Sequence, residues 1–224
     1  MLKGITIAID GPAAAGKSTI AKRIAKKLGY TYIDTGAMYR ALTHKAIVQG
    51  INMDSDNELS DLLRQTEIVL LPVNDTQAIL IDGEDCTEEI RSQSVTAGVS
   101  KVAAHGTVRK LMVEKQRDLA AGMGVVMDGR DIGTEVLPDA EVKIFMTASV
   151  DERAERRFIE NTKRGIHTPL EELKQAIENR DKADSEREIS PLKRAEDAIL
   201  VDTTSMSIEE VVDEIVEIAE KRMY

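Results

Sequence analysis

Scarcity bounds this chain first. Aromatic residues make up 3% of its 224 residues and tryptophan is absent, so the interior has to be aliphatic. A single cysteine, Cys86, excludes an intrachain disulfide and a cysteine zinc cluster, and it fits a reducing cytoplasm. No stretch approaches the roughly 20 apolar residues of a membrane span. The apolar run Ile5–Ile9 is broken at once by Asp10, which makes it a core strand rather than a signal peptide. Positive charge is short too. Thirty Lys and Arg against 40 Asp and Glu leave a net charge of −10, which argues against a general role on nucleic acid or an anionic membrane. Any polyanion site has to be built locally. Internal repeats and low-complexity tracts are missing, and with 42% hydrophobic and 31% charged residues the sequence reads as one globular unit with a lobe. His44, His105 and His167 are neither clustered nor spaced as metal ligands.

What is present begins directly after that first strand. Gly11, Pro12, Ala13, Ala14, Ala15, Gly16, Lys17, Ser18 and Thr19 have the spacing G-x-x-x-x-G-K-[ST], between an apolar strand and a helical pattern. The chemistry requires these residue types. The glycines let backbone N–H groups curl around an anion, and the helix N-terminus adds partial positive charge. Lys17 can reach the outer phosphates, and the Ser18 hydroxyl can hold Mg²⁺. The loop predicts binding of a nucleoside triphosphate.

Further along, Ile20, Ile24 and Leu28 recur at helical spacing until Gly29, with Lys22, Arg23, Lys26 and Lys27 on a solvated face. A strand at 30–33 delivers Asp34 to Arg40 onto a helix that runs to about Gly50, which brings Thr35, Tyr39 and Arg40 together. A helix from Asp54 to about Thr66 precedes two β-type runs, 68–73 and 78–81, joined by Asn74-Asp75-Thr76 and read as a hairpin insert. Pro72 places the first run at an edge. Helical patterns cover about 87–121, broken near His105-Gly106. Strands at 125–127, 142–146 and 198–201 alternate with helices at 150–164, 170–183 and 207–222. Five β runs interleaved with helices predict a doubly wound parallel sheet, with ligands at the carboxyl ends of its strands.

Arginines are grouped. Arg153, Arg156 and Arg157 stand at i, i+3 and i+4, and Arg180, Asp184 and Arg187 at i, i+4 and i+7, so each set is expected on one helix face. Pairing with neighbouring glutamates is the plain alternative. Arginine rather than lysine suits bidentate phosphate recognition. Asp128 ends a strand, where P-loop enzymes keep a carboxylate for Mg²⁺, and Arg130 and Asp131 project from the same end. One triphosphate loop and two arginine faces suggest phosphoryl transfer to an acceptor that is itself a phosphate. A kinase for UMP, AMP or a metabolite such as shikimate remains open at this point. A regulatory NTPase is disfavoured, because the chain has neither N-K-x-D nor D-x-x-G.

With these motifs, together with Pro138-Asp-Ala140, Glu152 to Arg157 and Arg180-Asp181 before Pro191-Leu192, the chain resembles the bacterial cytidylate kinases essentially end to end. The resemblance implies ATP-dependent phosphorylation of CMP and dCMP with Mg²⁺, in the cytoplasm, by a monomer with no nucleic-acid or membrane partner. It implies a P-loop nucleoside monophosphate kinase fold: an α/β core at 1–34, 122–152 and 188–224, a monophosphate-binding region at 35–121 with the insert at about 66–84, and a lid at 153–187. Carried onto matching positions, Thr35, Tyr39, Arg40, Arg130 and Arg187 surround the acceptor, and Ser100, Arg109 and Asp131 read the cytosine. Arg180 and Asp184 touch phosphate and ribose. Lys17, Arg153, Arg156 and Arg157 act in catalysis, and Ser18 and Asp128 hold the metal. Thr35 departs from the serine commonest in the family, which keeps the hydroxyl and adds a methyl near the ribose.

Overall fold

The structure is a computed structural model and describes residues 4–73, 76–122 and 124–223. Its centre is a five-stranded parallel sheet in the order β2-β6-β1-β7-β8, formed by Thr6–Asp10 (β1), Thr31–Asp34 (β2), Val125–Gly129 (β6), Val142–Thr147 (β7) and Ile199–Asp202 (β8). The register sets Ile9 and Asp34 beside Asp128, and Asp10 beside Gly129, so three strands end at one level. The chain order reverses about β1, and the crevice at the carboxyl ends of such strands is where this architecture binds ligands.

Helices cover both faces. Ile20 and Ile24 of α1 (Lys17–Leu28) and Val211, Ile215 and Ala219 of α8 (Ile208–Glu220) pack on Ile7, Ile9, Ile144 and Val201. Gly29 stops α1 in the left-handed conformation, its N–H bonded to the Ala25 and Lys26 carbonyls. A second core joins α2 (Thr35–Val48), α3 (Asp56–Arg64), α4 (Gln93–Val102) and α5 (Gly106–Leu119) through Leu42, Leu59, Leu63, Val99 and Met112. Tyr39 is the one aromatic ring among the buried residues described.

The hairpin is observed as β3 (Ile68–Val73) antiparallel to β4 (Thr76–Ile81), with Pro72 on an edge strand. Asn74 and Asp75, expected in its turn, lie outside the described residues. A third short strand, β5 (Glu84–Asp85), completes this sheet and a 3₁₀ turn at Glu89–Arg91 follows, so the helical region begins at Gln93 rather than near 87. The expected break at His105-Gly106 is present between α4 and α5. Two helices complete the fold, α6 (Val150–Lys163) and α7 (Leu170–Glu186). Arg187 is not on α7. Its backbone is extended (φ −64°, ψ 142°) because the chain turns back there, with Leu192 N–H on the Asp184 carbonyl.

Candidate active site

A cleft of about 770 Å³ opens over the carboxyl ends of the strands. That volume lies within the range of small-molecule sites. Twelve basic and six acidic residues line it, so the cleft is cationic in a protein of net charge −10.

One side is the loop. Gly11 has φ +150°, and a Cβ there would lie 2.1 Å from the Met146 carbonyl oxygen, so only glycine lets β1 turn beneath β7. Ala14, Ala15, Gly16, Lys17, Ser18 and Thr19 face the cleft, whereas Gly11, Pro12 and Ala13 form its support. Lys17 is 5% exposed and its Nζ donates to the Pro12 carbonyl at 2.8 Å. Burial, then the neighbouring Arg130, holds its pKa well below the usual lysine value. The Ser18 hydroxyl donates to Asp128 Oδ2 at 2.9 Å, and burial, then nearby Asp34, raises Asp128 to about 6. No group of three or more His, Cys, Asp or Glu able to hold a metal occurs among the described residues. Ser18 and Asp128 nevertheless fit Mg²⁺, which keeps several waters and takes one or two carboxylates together with substrate phosphates.

Ile159 of α6, Met206 after β8, and Ile208 and Val211 of α8 also line the cleft. Arg156 lines it too, donating to Glu152 Oε1 at 2.8 Å, Thr203 Oγ1 at 3.0 Å and the Thr203 carbonyl at 2.7 Å. Arg157 pairs with Glu160 at 3.3 Å. Both therefore make the intrahelical pairs of the plain alternative while facing the cleft. Arg153 departs from the expected shared face. It is buried, donates to the carbonyls of Ala148 and Ala13 at 3.0 Å each and to Asp181 Oδ2 at 2.5 Å, and does not line the cleft. Asp181 in turn accepts the Ala13 N–H at 3.1 Å, so the pair braces the loop from behind.

The other side is assembled from distant segments. Thr35, Tyr39 and Arg40 come from the first turns of α2, Ser100 from α4, Arg109 from α5, Arg130 and Asp131 from the end of β6, and Arg180, Asp184 and Arg187 from α7 and its exit. All ten line the cleft. Arg109 meets Asp131 in a buried pair, its Cζ 5.5 Å from the centre of the Tyr39 ring. Arg187 approaches Asp131 at 3.7 Å and Asp184 at 3.8 Å, and Arg130 Nε donates to Asp184 Oδ2 at 2.9 Å. Burial raises the Asp184 pKa, but Arg130 and Arg180 outweigh it and hold the carboxyl below its usual value. Burial and the surrounding Arg130, Arg40 and Arg157 push Arg180 down to about 10. The Tyr39 hydroxyl, the Nε atoms of Arg40, Arg91, Arg109 and Arg180, and Nη2 of Arg187 are buried without a hydrogen-bond partner among the described residues. Buried cations facing each other with unused N–H groups suit a bound polyanion.

Four contributors escaped the sequence. Asp34 accepts the Ala37 N–H at 2.8 Å and pairs with Arg40 at 3.1 Å; an Asp just ahead of a helical pattern is a cap signal that could have found it. Asp10 accepts the N–H groups of Ile132 and Gly133 at 2.8 Å each, pinning the π-helical turn Ile132–Val136 and with it Asp131. Arg91 lines the cleft and the Tyr32 hydroxyl donates to Asp128 Oδ1 at 2.7 Å, and neither carries a local signal. Thr35 spends its hydroxyl proton on the Asp128 carbonyl at 2.7 Å.

A family model described as cytidylate kinase matches residues 7–221. The chain is 58% identical over 223 residues to the cytidylate kinase of Geobacillus kaustophilus, covering 100% of each, and 60% identical over 223 residues to that of Geobacillus sp. (strain WCH70), again covering 100% of each. Its fold is similar to the crystal structure of an uncharacterised protein from Eubacterium ventriosum, with a TM-score of 0.55 at 12% identity over 96% of this chain and 98% of that one.

Proposed function

The chain belongs to the cytidylate kinase family and is an ATP-dependent kinase of CMP and dCMP; we propose that the cleft performs this transfer as a two-nucleotide site, with the donor on the loop and the acceptor on the arginine side. The observation that carries this reading is the Arg180 neighbourhood, where buried cations repel one another and Arg40, Arg130, Arg180 and Arg187 line the same cleft as Lys17.

On this reading the N–H groups of residues 14–19 cradle the ATP phosphates, and Lys17 Nζ leaves the Pro12 carbonyl for the outer phosphates. The apolar side chains of Ile159, Met206 and Ile208, which line the cleft, take the donor base. Arg130, Arg180 and Arg40 receive the acceptor phosphate, with Thr35 and Asp184 toward the ribose. Asp131, held by Arg109 and Arg187, accepts from the cytosine amino group beside Ser100, with the Tyr39 ring behind Arg109. Uracil offers a carbonyl at that position, which Asp131 repels. An acceptor phosphate oxygen attacks the γ-phosphorus in line as the bond to the β-phosphate oxygen breaks, giving CDP and ADP. Arg156 and Arg157 turn toward the charge that develops, and Arg153 keeps the loop in place from behind. Mg²⁺ bound at Ser18 and Asp128 would neutralise charge on the donor phosphates.

The same reading takes residues 35–121 as the acceptor-binding region, 153–187 as a lid, and the protein as a cytoplasmic monomer. No described helix is long and apolar enough to cross a membrane. An ADP-release assay with CMP, dCMP, UMP and AMP tests the acceptor assignment. CMP and dCMP should stimulate release far above UMP and AMP, and slow release indifferent to every monophosphate would overturn it.

A further inference from the structure

Tyr32 has no role in the proposed transfer, yet its phenol reaches the carboxylate that joins the loop to the sheet. Its Oη donates to Asp128 Oδ1 at 2.7 Å, while Ser18 donates to Asp128 Oδ2 at 2.9 Å, so the two oxygens of one carboxylate are divided between sheet and loop. Asp128 needs such a tether. The last torsion of an aspartate is broad and roughly two-fold, and Asp34 stands beside Asp128 across the β2–β6 pair, where like charges push the carboxylate aside. Asp128 is 4% exposed, which leaves little room for water to replace the phenol.

Tyr32 is itself fixed. The Lys22 ammonium lies 5.6 Å from the centre of its ring, and its carbonyl accepts Gln77 Nε2 from the antiparallel sheet at 2.8 Å. We propose that Tyr32 is a positioning residue for the metal–nucleotide site, orienting Asp128 so that Oδ2 stays turned to Ser18 and the donor phosphates. This rests on the reading that Ser18 and Asp128 hold the cation. A partner that holds a metal-ligating carboxylate acts by fixing its orientation, and loss of such partners costs roughly 10- to 100-fold in metal affinity.

The test is Mn²⁺ binding to the full-length protein with the β,γ-imido analogue of ATP, followed by the electron paramagnetic resonance signal of free Mn²⁺. Tyr32→Phe, which keeps the ring, should weaken Mn²⁺ about 10-fold. It should also raise the KM for metal–ATP and leave that for CMP unchanged. Asp128→Asn should weaken Mn²⁺ at least as much, and adding Tyr32→Phe to it should change nothing further. Parent-like Mn²⁺ affinity in Tyr32→Phe, with or without a lower melting temperature, overturns the role of Tyr32 and leaves the cation reading standing if Asp128→Asn is impaired. Equal weakening by Tyr32→Phe in both backgrounds also overturns it. Parent-like affinity in Asp128→Asn removes the cation reading and the role of Tyr32 together.

Discussion

On the proposed donor side of the cleft a single loop supplies backbone N–H groups and one buried lysine, whereas on the proposed acceptor side the arginines come from α2, α5, the end of β6, and α7 and its exit, and are cross-braced by carboxylates. The difference lies in what each side costs the fold. Lys17 is a liability to stability, since burial and Arg130 both disfavour its charge. Arg109, Arg130 and Arg187 are held by Asp131 and Asp184, so removing one member strands another inside the protein. Donor-side changes should therefore separate activity from stability, and acceptor-side changes should couple them.

The largest expected effect is that of Lys17→Ala. Turnover should fall by about 1,000-fold or more, as loss of a preorganised donor to developing charge implies, while the melting temperature holds or rises. A parallel loss of stability would break the contrast. Asp131→Ala comes next, because it leaves Arg109 and Arg187 buried without their shared carboxylate. Breaking a buried pair costs roughly 3–5 kcal/mol, readable by denaturant unfolding, and preference for CMP over UMP should weaken at the same time. If stability stayed at the parent level, the bracing of the acceptor side would be a fiction of proximity.

Arg130→Ala should act more mildly, because Asp184 retains Arg187 at 3.8 Å. The KM for CMP should rise roughly 10- to 100-fold, the loss of one or two charge-assisted hydrogen bonds, with the KM for ATP unchanged. The smallest effect concerns Asp10, whose pKa burial raises from 3.8 to about 6. The folded state holds this proton more tightly than the unfolded chain. Its contribution to stability is therefore full below pH 3.8 and is lost as the pH rises through about 6. Asp10→Asn lacks that dependence, so between about pH 4 and 7 the stability difference should shift toward the variant by roughly 1–3 kcal/mol. A shift toward the parent would contradict the assigned burial.

The same contrast explains what could be read before the structure. The loop lies in one stretch with a fixed spacing, and the strand-helix alternation fixes the sheet that places it, so its position at the strand ends was legible from Gly11 to Thr19. The arginines opposite the loop could be named, but their carboxylate partners could not, because Arg109 meets Asp131 and Arg130 meets Asp184 only after folding. Helical periodicity misled twice. It put Arg187 on α7, which ends one residue earlier, and it set Arg153 beside Arg156 although the helix turns it into the core. Tyr32 and Asp10 act across strands on residues 96 and more than 120 positions away, a distance no local pattern carries.

The division of the cleft is tested most directly by crossed calorimetric titrations of two variants. Lys17→Ala should bind CMP within about 3-fold of the parent and lose affinity for the β,γ-imido analogue of ATP, and Arg130→Ala should do the reverse, although the two cations repel each other across the cleft. Loss of the same ligand in both variants would contradict a cleft divided between donor and acceptor.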